Sequence, residues 1–250
     1  KLLSDAPDLR DYIRAAWHVV EPGTIYVHGW HIDAICEHLE AVTSGQIRRL
    51  VINVPPRHMK SLAVSVFWPT WTWIFRPEAR FLFASYSQAL AVRDAVKSRR
   101  VIGSPWFQKR WGNRFRLTSD QNEKSRYDND RTGVRLSVSV GTGTGEGGDF
   151  RILDDPHNRE EVHSDAVRGA DIEWFRQTWA TRENDPKRSS EVIVMQRLHE
   201  QDITGFALSE IGGYVHLCLP ARYESERRCV TCLGWADQRG TPIAAAGGKR

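Results

Sequence analysis

"VPPRHMKS" (residues 54–61) follows the apolar run Leu50-Val51-Ile52-Asn53 and precedes a stretch of helical composition. Strand, tight loop, Lys-Ser, helix is the layout of a phosphate-binding loop, usually written G-x-x-x-x-G-K-[ST]. Lys60 and Ser61 stand in register with that pattern, while Val54 and Met59 occupy the two glycine positions. In such a loop the backbone N–H groups and the helix N-terminus form an anion site. The lysine reaches the β- and γ-phosphates, and the serine hydroxyl coordinates Mg2+. Pro55 and Pro56 lack an N–H. The amides available to a phosphate therefore belong to Arg57, His58, Met59, Lys60, Ser61 and Leu62. Glycine before the lysine normally admits dihedrals that β-carbon residues avoid. With methionine there, the expectation is an ordinary negative φ, with the Met59 side chain turned away from the nucleotide. It would then lie between the strand and the following helix. The competing reading is a surface lysine after an edge strand.

Outward from the loop, apolar runs of strand length alternate with helical stretches. Strands are predicted over 49–54, 80–85, 134–140, 150–154, 190–196 and 214–219, and helices over 60–75, 87–102, 165–181 and 202–211. That alternation predicts an α/β fold with a mostly parallel central sheet covered on both faces. Residues 5–48 carry helical periodicity, with Ile32, Ile35, Leu39 and Val42 on one face. From about residue 222 the sequence turns polar and Gly-rich, which predicts the end of the domain.

Two further stretches bear chemistry. "FRILDDPHN" (150–158) is an apolar strand ending in two acids, about 95 residues after Lys-Ser. Phosphoryl transfer uses one carboxylate for Mg2+ and a second group to orient or deprotonate water. Asp154 suits the metal and Asp155 the water; an isolated Asp-Asp-Pro is more often a turn, but its place at a strand end after the Lys-Ser loop argues against that. "EVIVMQRLHEQDITG" (191–205) is a buried strand ending in Gln196-Arg197. Ligands of such sheets sit at the carboxyl ends of the strands, so Gln196 is placed to report on a γ-phosphate. Simple strand capping is the other account. Arg57 is open to two roles: neutralising the γ-phosphate in cis, or pairing with a neighbouring acid. Arg182 and the arginines near residue 99 are candidates for a finger supplied to a neighbouring subunit.

The 250 residues suffice for one large domain or two small ones. Net charge is +4, and eight Lys/Arg face one Asp between Arg93 and Arg116. That segment, with Arg99, Arg100, Lys109, Arg110, Arg114 and Arg116, suits sequence-independent contacts to nucleic-acid phosphates; a solvated helix face is the alternative. Four cysteines in a chain this long do not make a disulfide framework. Cys229 and Cys232 have the spacing of half a zinc site, which Cys218 and His216 would have to complete; unligated thiols are the favoured reading. The sequence shows no secretory signal, and Leu62–Phe75 is too short for a membrane span. Both ends read as cut, which predicts a piece of a longer polypeptide.

"INVPPRHMKSL", "FASYSQALAVRDAVKSRRVIGSPWFQKRWG", "GTGTGEGGDFRILDDPHN", "VIVMQRLHEQDITG" and "LCLPARYE", in this order, resemble the large terminase subunit of tailed double-stranded DNA bacteriophages. The similarity runs from about Tyr26 to Trp235. It implies a three-layer P-loop NTPase fold (RecA/ASCE-like) and an ATPase that drives double-stranded DNA into a procapsid. Walker A would be Val54–Ser61, Walker B Arg151–Asp155, and the coupling motif Gln196-Arg197. Trp30 and His31 would open the adenine-side region. ATP and Mg2+ would be the cofactors, with the small terminase subunit, the portal protein and further copies in a ring as partners. The setting would be the cytoplasm of the bacterial host. Domain bounds would be 1–48 for a helical segment, 49–222 for the ATPase and 223–250 for the start of a linker. The family's nuclease lies beyond that linker and is not expected in this chain. The second acid is Asp155, where many ATPases carry Glu, a reach shorter by one methylene. Two rivals stand beside this reading: a helicase-like DNA-dependent ATPase, and an inactive prophage remnant that only binds DNA or a partner.

Overall fold

The computed structural model describes residues 7–142 and 145–220. Its strands are β1 (Arg49–Asn53), β2 (Arg80–Ser85), β3 (Leu117–Asn122), β4 (Arg126–Asn129), β5 (Val134–Ser139), β6 (Phe150–Asp154), β7 (Ser190–Met195) and β8 (Val215–Cys218). They form one sheet in the order β3-β4-β5-β2-β6-β7-β1-β8. The ladders from β5 to β8 are parallel, and β4 runs antiparallel to both of its neighbours. The six strands predicted from apolar runs coincide with β1, β2, β5, β6, β7 and β8 to within one residue at each end. β3 and β4 were not predicted. Their sequences, LTSDQN and RYDN, hold no apolar run, because an antiparallel edge pair buries only alternate positions.

Both faces of the sheet are covered, since its central strands carry apolar residues on both sides. Leu50 and Ile52 of β1 face one layer and Val51 the other; β6 divides as Ile152 against Leu153, and β7 as Val192 and Val194 against Ile193 and Met195. The first layer holds α1 (Leu9–Val20), α2 (Trp30–Thr43), α3 (Trp68–Thr72), α4 (Gln88–Gly103) and α5 (Pro105–Trp111). The second holds α6 (Asp165–Trp174), a π-helical turn at Phe175–Trp179, and α7 (Ile203–Phe206), which continues into a π turn at Ala207–Ile211. This is the predicted three-layer α/β architecture. The amino-terminal helical region is two helices, with residues 21–29 outside both. α1 starts where Asp8 accepts the Asp11 N–H at 2.8 Å, a side-chain cap. It buries Leu9, Tyr12, Ile13, Ala16 and Val20 in the same core as the sheet.

The helix after the loop is interrupted. It begins at Lys60, widens into a π-helical turn over Leu62–Phe67, and resumes as α3. Pro69 accounts for the break: its ring has no N–H and crowds the carbonyl four residues back. Just before it, Trp68 is 0% exposed, with ring centroids 5.6 Å from Phe81 and 5.3 Å from Phe150. Its indole N–H donates to Thr43 Oγ1 at 2.8 Å, joining this helix to α2.

Trp68→Ala should destabilise the chain by about 3–5 kcal/mol, the usual cost of deleting a buried indole. Guanidinium unfolding followed by circular dichroism measures it, and a loss under about 1 kcal/mol would place Trp68 outside the core.

Candidate functional site

Parallel strands deliver their carboxyl ends to one edge of the sheet, and the loop after β1 meets the end of β6 there. Asp154, the last residue of β6, is 8% exposed and Lys60 is 6% exposed. Both carboxylate oxygens of Asp154 are held: Ser61 Oγ donates to Oδ1 at 2.9 Å and Ser65 Oγ donates to Oδ2 at 2.7 Å. Lys60 Nζ lies 3.5 Å from Asp154 Oδ1 and makes a close ion pair with Asp155. Burial pulls the lysine's pKa down, but the two carboxylates outweigh it, leaving it above the usual lysine value. Asp155 is pushed upward by burial and by the adjacent Asp154. Lys60 and the Gln196 N–H, 3.4 Å from Asp155 Oδ1, pull it back only in part.

The loop has the backbone of a glycine-bearing loop without the glycines. Arg57 has φ +65° and Met59 has φ +62°, both in the left-handed region, and Asp155 has φ +46°. The expected negative φ at Met59 is therefore wrong. Left-handed residues alternating with ordinary ones turn successive N–H groups into one concavity, and this geometry prevails at a cost of about 1–2 kcal/mol per residue. The expected orientation of the Met59 side chain is also only half right. It packs against the core, but it lines the cleft as well.

That cleft, of about 460 Å3, is bounded by Trp17, Pro56, Arg57, Met59, Lys60, Ser61, Leu62, Arg93, Lys97 and Asp155. Apolar walls and four cations around one acid suit a ligand with a flat apolar part and a polyanionic tail. Trp17, Arg93 and Lys97 were not assigned to the site from sequence. Trp17 belongs to the apolar stripe of α1, and Arg93 and Lys97 looked like part of a uniform basic segment. Behind the acids lies a smaller cavity of about 50 Å3, lined among others by Ser65, Ser85, Asp94 and Arg135. Ser65 and Arg135 were missed too, since neither carries a recognisable motif.

The remaining candidates are distributed unevenly. Gln196 sits next to Asp155, and its Oε1 accepts from Arg159 Nη2 at 2.8 Å. Arg57 is exposed and makes no ion pair among the described residues. His31, beside Trp30 at the start of α2, approaches the loop, with its ring centroid 5.5 Å from that of His58. Burial, with His58 and His28 nearby, lowers the His31 pKa. Arg182 lies away from this edge, its carbonyl accepting from the Gly148 N–H at 2.9 Å before β6 begins. The basic segment is not one stripe. Arg93 and Lys97 face the cleft, while Arg99 donates to Asn122 Oδ1 at 2.8 Å and Arg110 lies 5.0 Å over the Trp106 ring. Arg100 and Lys109 are exposed near them. Cys229 and Cys232 lie outside the described residues.

The residues present fit a magnesium nucleotide. Ser61 and Asp154 offer hard oxygen ligands of the kind Mg2+ shares with phosphates and water. No cluster of three or more His, Cys, Asp or Glu suited to a metal is found among the described residues.

No protein-family profile and no curated protein matches the sequence. Solved structures do match. The large terminase of bacteriophage HK97 superposes with a TM-score of 0.52 at 13% identity, over 88% of this chain and 45% of that one. The large terminase of a thermophilic bacteriophage gives a TM-score of 0.45 at 8% identity, over 72% of this chain and 44% of that one. The chain has a large-terminase-like, P-loop NTPase-like fold, and it spans 45% of the length of the HK97 protein.

The left-handed loop sets a test of its own. Met59→Gly should alter stability by no more than about 1 kcal/mol, because relief of strain offsets lost packing and added chain entropy. Met59→Ala should be less stable than Met59→Gly by about 1 kcal/mol, because it keeps the strain without the packing. Urea denaturation of both variants decides it; an alanine variant more stable than the glycine one would refute the left-handed backbone at residue 59.

Proposed function

We propose that this chain is the ATPase motor domain of a DNA-packaging terminase of a bacteriophage or prophage. It would couple ATP hydrolysis to translocation of double-stranded DNA into a procapsid. One observation carries the reading: a left-handed loop brings Lys60 and Ser61 onto two adjacent carboxylates at the next-but-one parallel strand. β7, which Gln196 follows, lies between them. The terminase-like fold supports the same conclusion.

The residues divide the work by chemistry. The loop amides from Arg57 to Leu62 and the Lys60 ammonium bind phosphate oxygens. Ser61 and Asp154 would hold Mg2+, which supplies charge neutralisation at the β- and γ-phosphates. Asp155 accepts the proton of the attacking water. Its close pair with Lys60 leaves it neutralised until a triphosphate competes for the ammonium. Arg57, unpaired in its own chain among the described residues, is free to meet the γ-phosphate. Gln196, bonded through its N–H to Asp155, is placed to respond to hydrolysis. Trp17, in the cleft wall, forms the apolar end for the base, and Trp30 and His31 would border it from the start of α2, where His31 meets His58 of the loop.

DNA contacts fall to Arg99, Arg100, Lys109 and Arg110, through phosphates and with strong salt dependence. The small terminase subunit, the portal protein and other copies of the chain in a ring are the partners of such a motor, in the cytoplasm of a bacterial host. No helix among the described residues is long and apolar enough to cross a membrane. Nuclease activity is not expected from the residues described.

Phosphate release from ATP, with and without linear double-stranded DNA, tests the proposal. Lys60→Ala and Asp154→Ala should each abolish release while the circular dichroism spectrum survives. Asp155→Asn should bind Mg·ATP but not cleave it, because an amide cannot accept the proton. A folded parent chain that neither binds nor hydrolyses ATP would favour the inactive, DNA- or partner-binding remnant instead.

A further inference from the structure

Asp154 is held from two sides, and only one of them belongs to the phosphate-binding loop. Ser65 Oγ donates to Asp154 Oδ2 at 2.7 Å from inside the π-helical turn. The Ser65 carbonyl also takes a side-chain donor: Arg135 Nη2 reaches it at 2.9 Å from β5. Arg135 is 1% exposed, its Nη1 donates to Ser137 Oγ at 2.6 Å, and its guanidinium lies 4.1 Å over the Phe83 ring. Burial pulls its pKa down, and it makes no ion pair with a carboxylate among the described residues. A buried guanidinium with no salt-bridge partner is costly, and here it is held by the Ser65 carbonyl next to the site, the Ser137 hydroxyl and the Phe83 ring.

We infer that Ser65 is a positioning residue for Asp154, and that Arg135 fixes Ser65 in that role. This rests on the reading of Asp154 as the carboxylate that holds Mg2+. A carboxylate presented to a cation needs its orientation set by hydrogen bonds from behind. Ser61 cannot supply this alone, because its hydroxyl is claimed by the same cation. Ser65 can, because it occupies the other carboxylate oxygen. The π-helical turn is then a functional part of the site: it carries Ser65, whose hydroxyl holds Asp154 and whose carbonyl is the handle by which β5 holds the serine.

The experiment is binding of a fluorescent ADP analogue to the full chain, with Mg2+ titrated from zero and a parallel series in EDTA. Ser65→Ala should require roughly tenfold more Mg2+ for half-maximal effect, the loss typical of an outer partner of a metal ligand. Its affinity in EDTA should equal the parent's. Lys60→Ala should instead weaken binding in both series. Arg135→Met should reproduce the Ser65→Ala shift if it folds; if it does not fold, Ser65→Ala carries the test. An unaltered Mg2+ requirement in Ser65→Ala, or an equal loss in EDTA, overturns the inference. A folded Arg135→Met with the parent's requirement overturns the role given to Arg135. A parent that binds no nucleotide overturns the nucleotide-site reading itself, and this inference with it.

Discussion

Two carboxylates on consecutive residues at the end of a buried strand repel each other, and everything around Asp154 and Asp155 answers that repulsion. Lys60 reaches both, two serine hydroxyls take the oxygens of Asp154, and the Gln196 N–H approaches Asp155. Without these donors the charged form of Asp155, already disfavoured by burial and by Asp154, would be disfavoured further. These donors and the two acids meet only because β1, β6 and β7 end at one edge of the sheet. The loop, the acids and the glutamine are therefore not three motifs but one electrostatic unit assembled by strand order.

Strand order also explains why β7 separates the loop strand from the acid strand. Parallel neighbours on both sides bury β7 completely, and its residues run Ser-Glu-Val-Ile-Val-Met with no exposed position. Beyond the acids, His157 is buried, accepts the Ile203 N–H of α7 at 2.9 Å and lies 2.7 Å from Asp171 of α6. The second helical layer is thus pinned to the same edge as the chemistry.

Much of this was legible from residues. Six strands announced themselves as short apolar runs, clearest where both faces of the strand are covered, and Lys60, Ser61, Asp154 and Asp155 follow from a loop and a strand end at a familiar separation. The rest was hidden for physical reasons. Ser65 is one hydroxyl in an apolar helix, and only the fold shows which way it faces. Arg135 looked like a polar interruption in a strand, since sequence does not distinguish a buried arginine from an edge one. Arg93 and Lys97 were hidden in a basic run, because helical periodicity divides that run between two environments. β3 and β4 lack the pattern of buried strands because they are partly solvated.

A loop of glycines turns by having nothing attached at the turning points, so it meets a phosphate with bare backbone. Here the same turns are made at Arg57 and Met59, and both positions project a side chain into the cleft. The exchange limits what can stand there: residues branched at Cβ are disfavoured in the left-handed region, whereas unbranched ones are admitted at moderate strain. In return the loop carries its own cation and its own apolar wall. Substitutions at these two places would therefore change what the loop recognises, where a glycine loop could change only its shape.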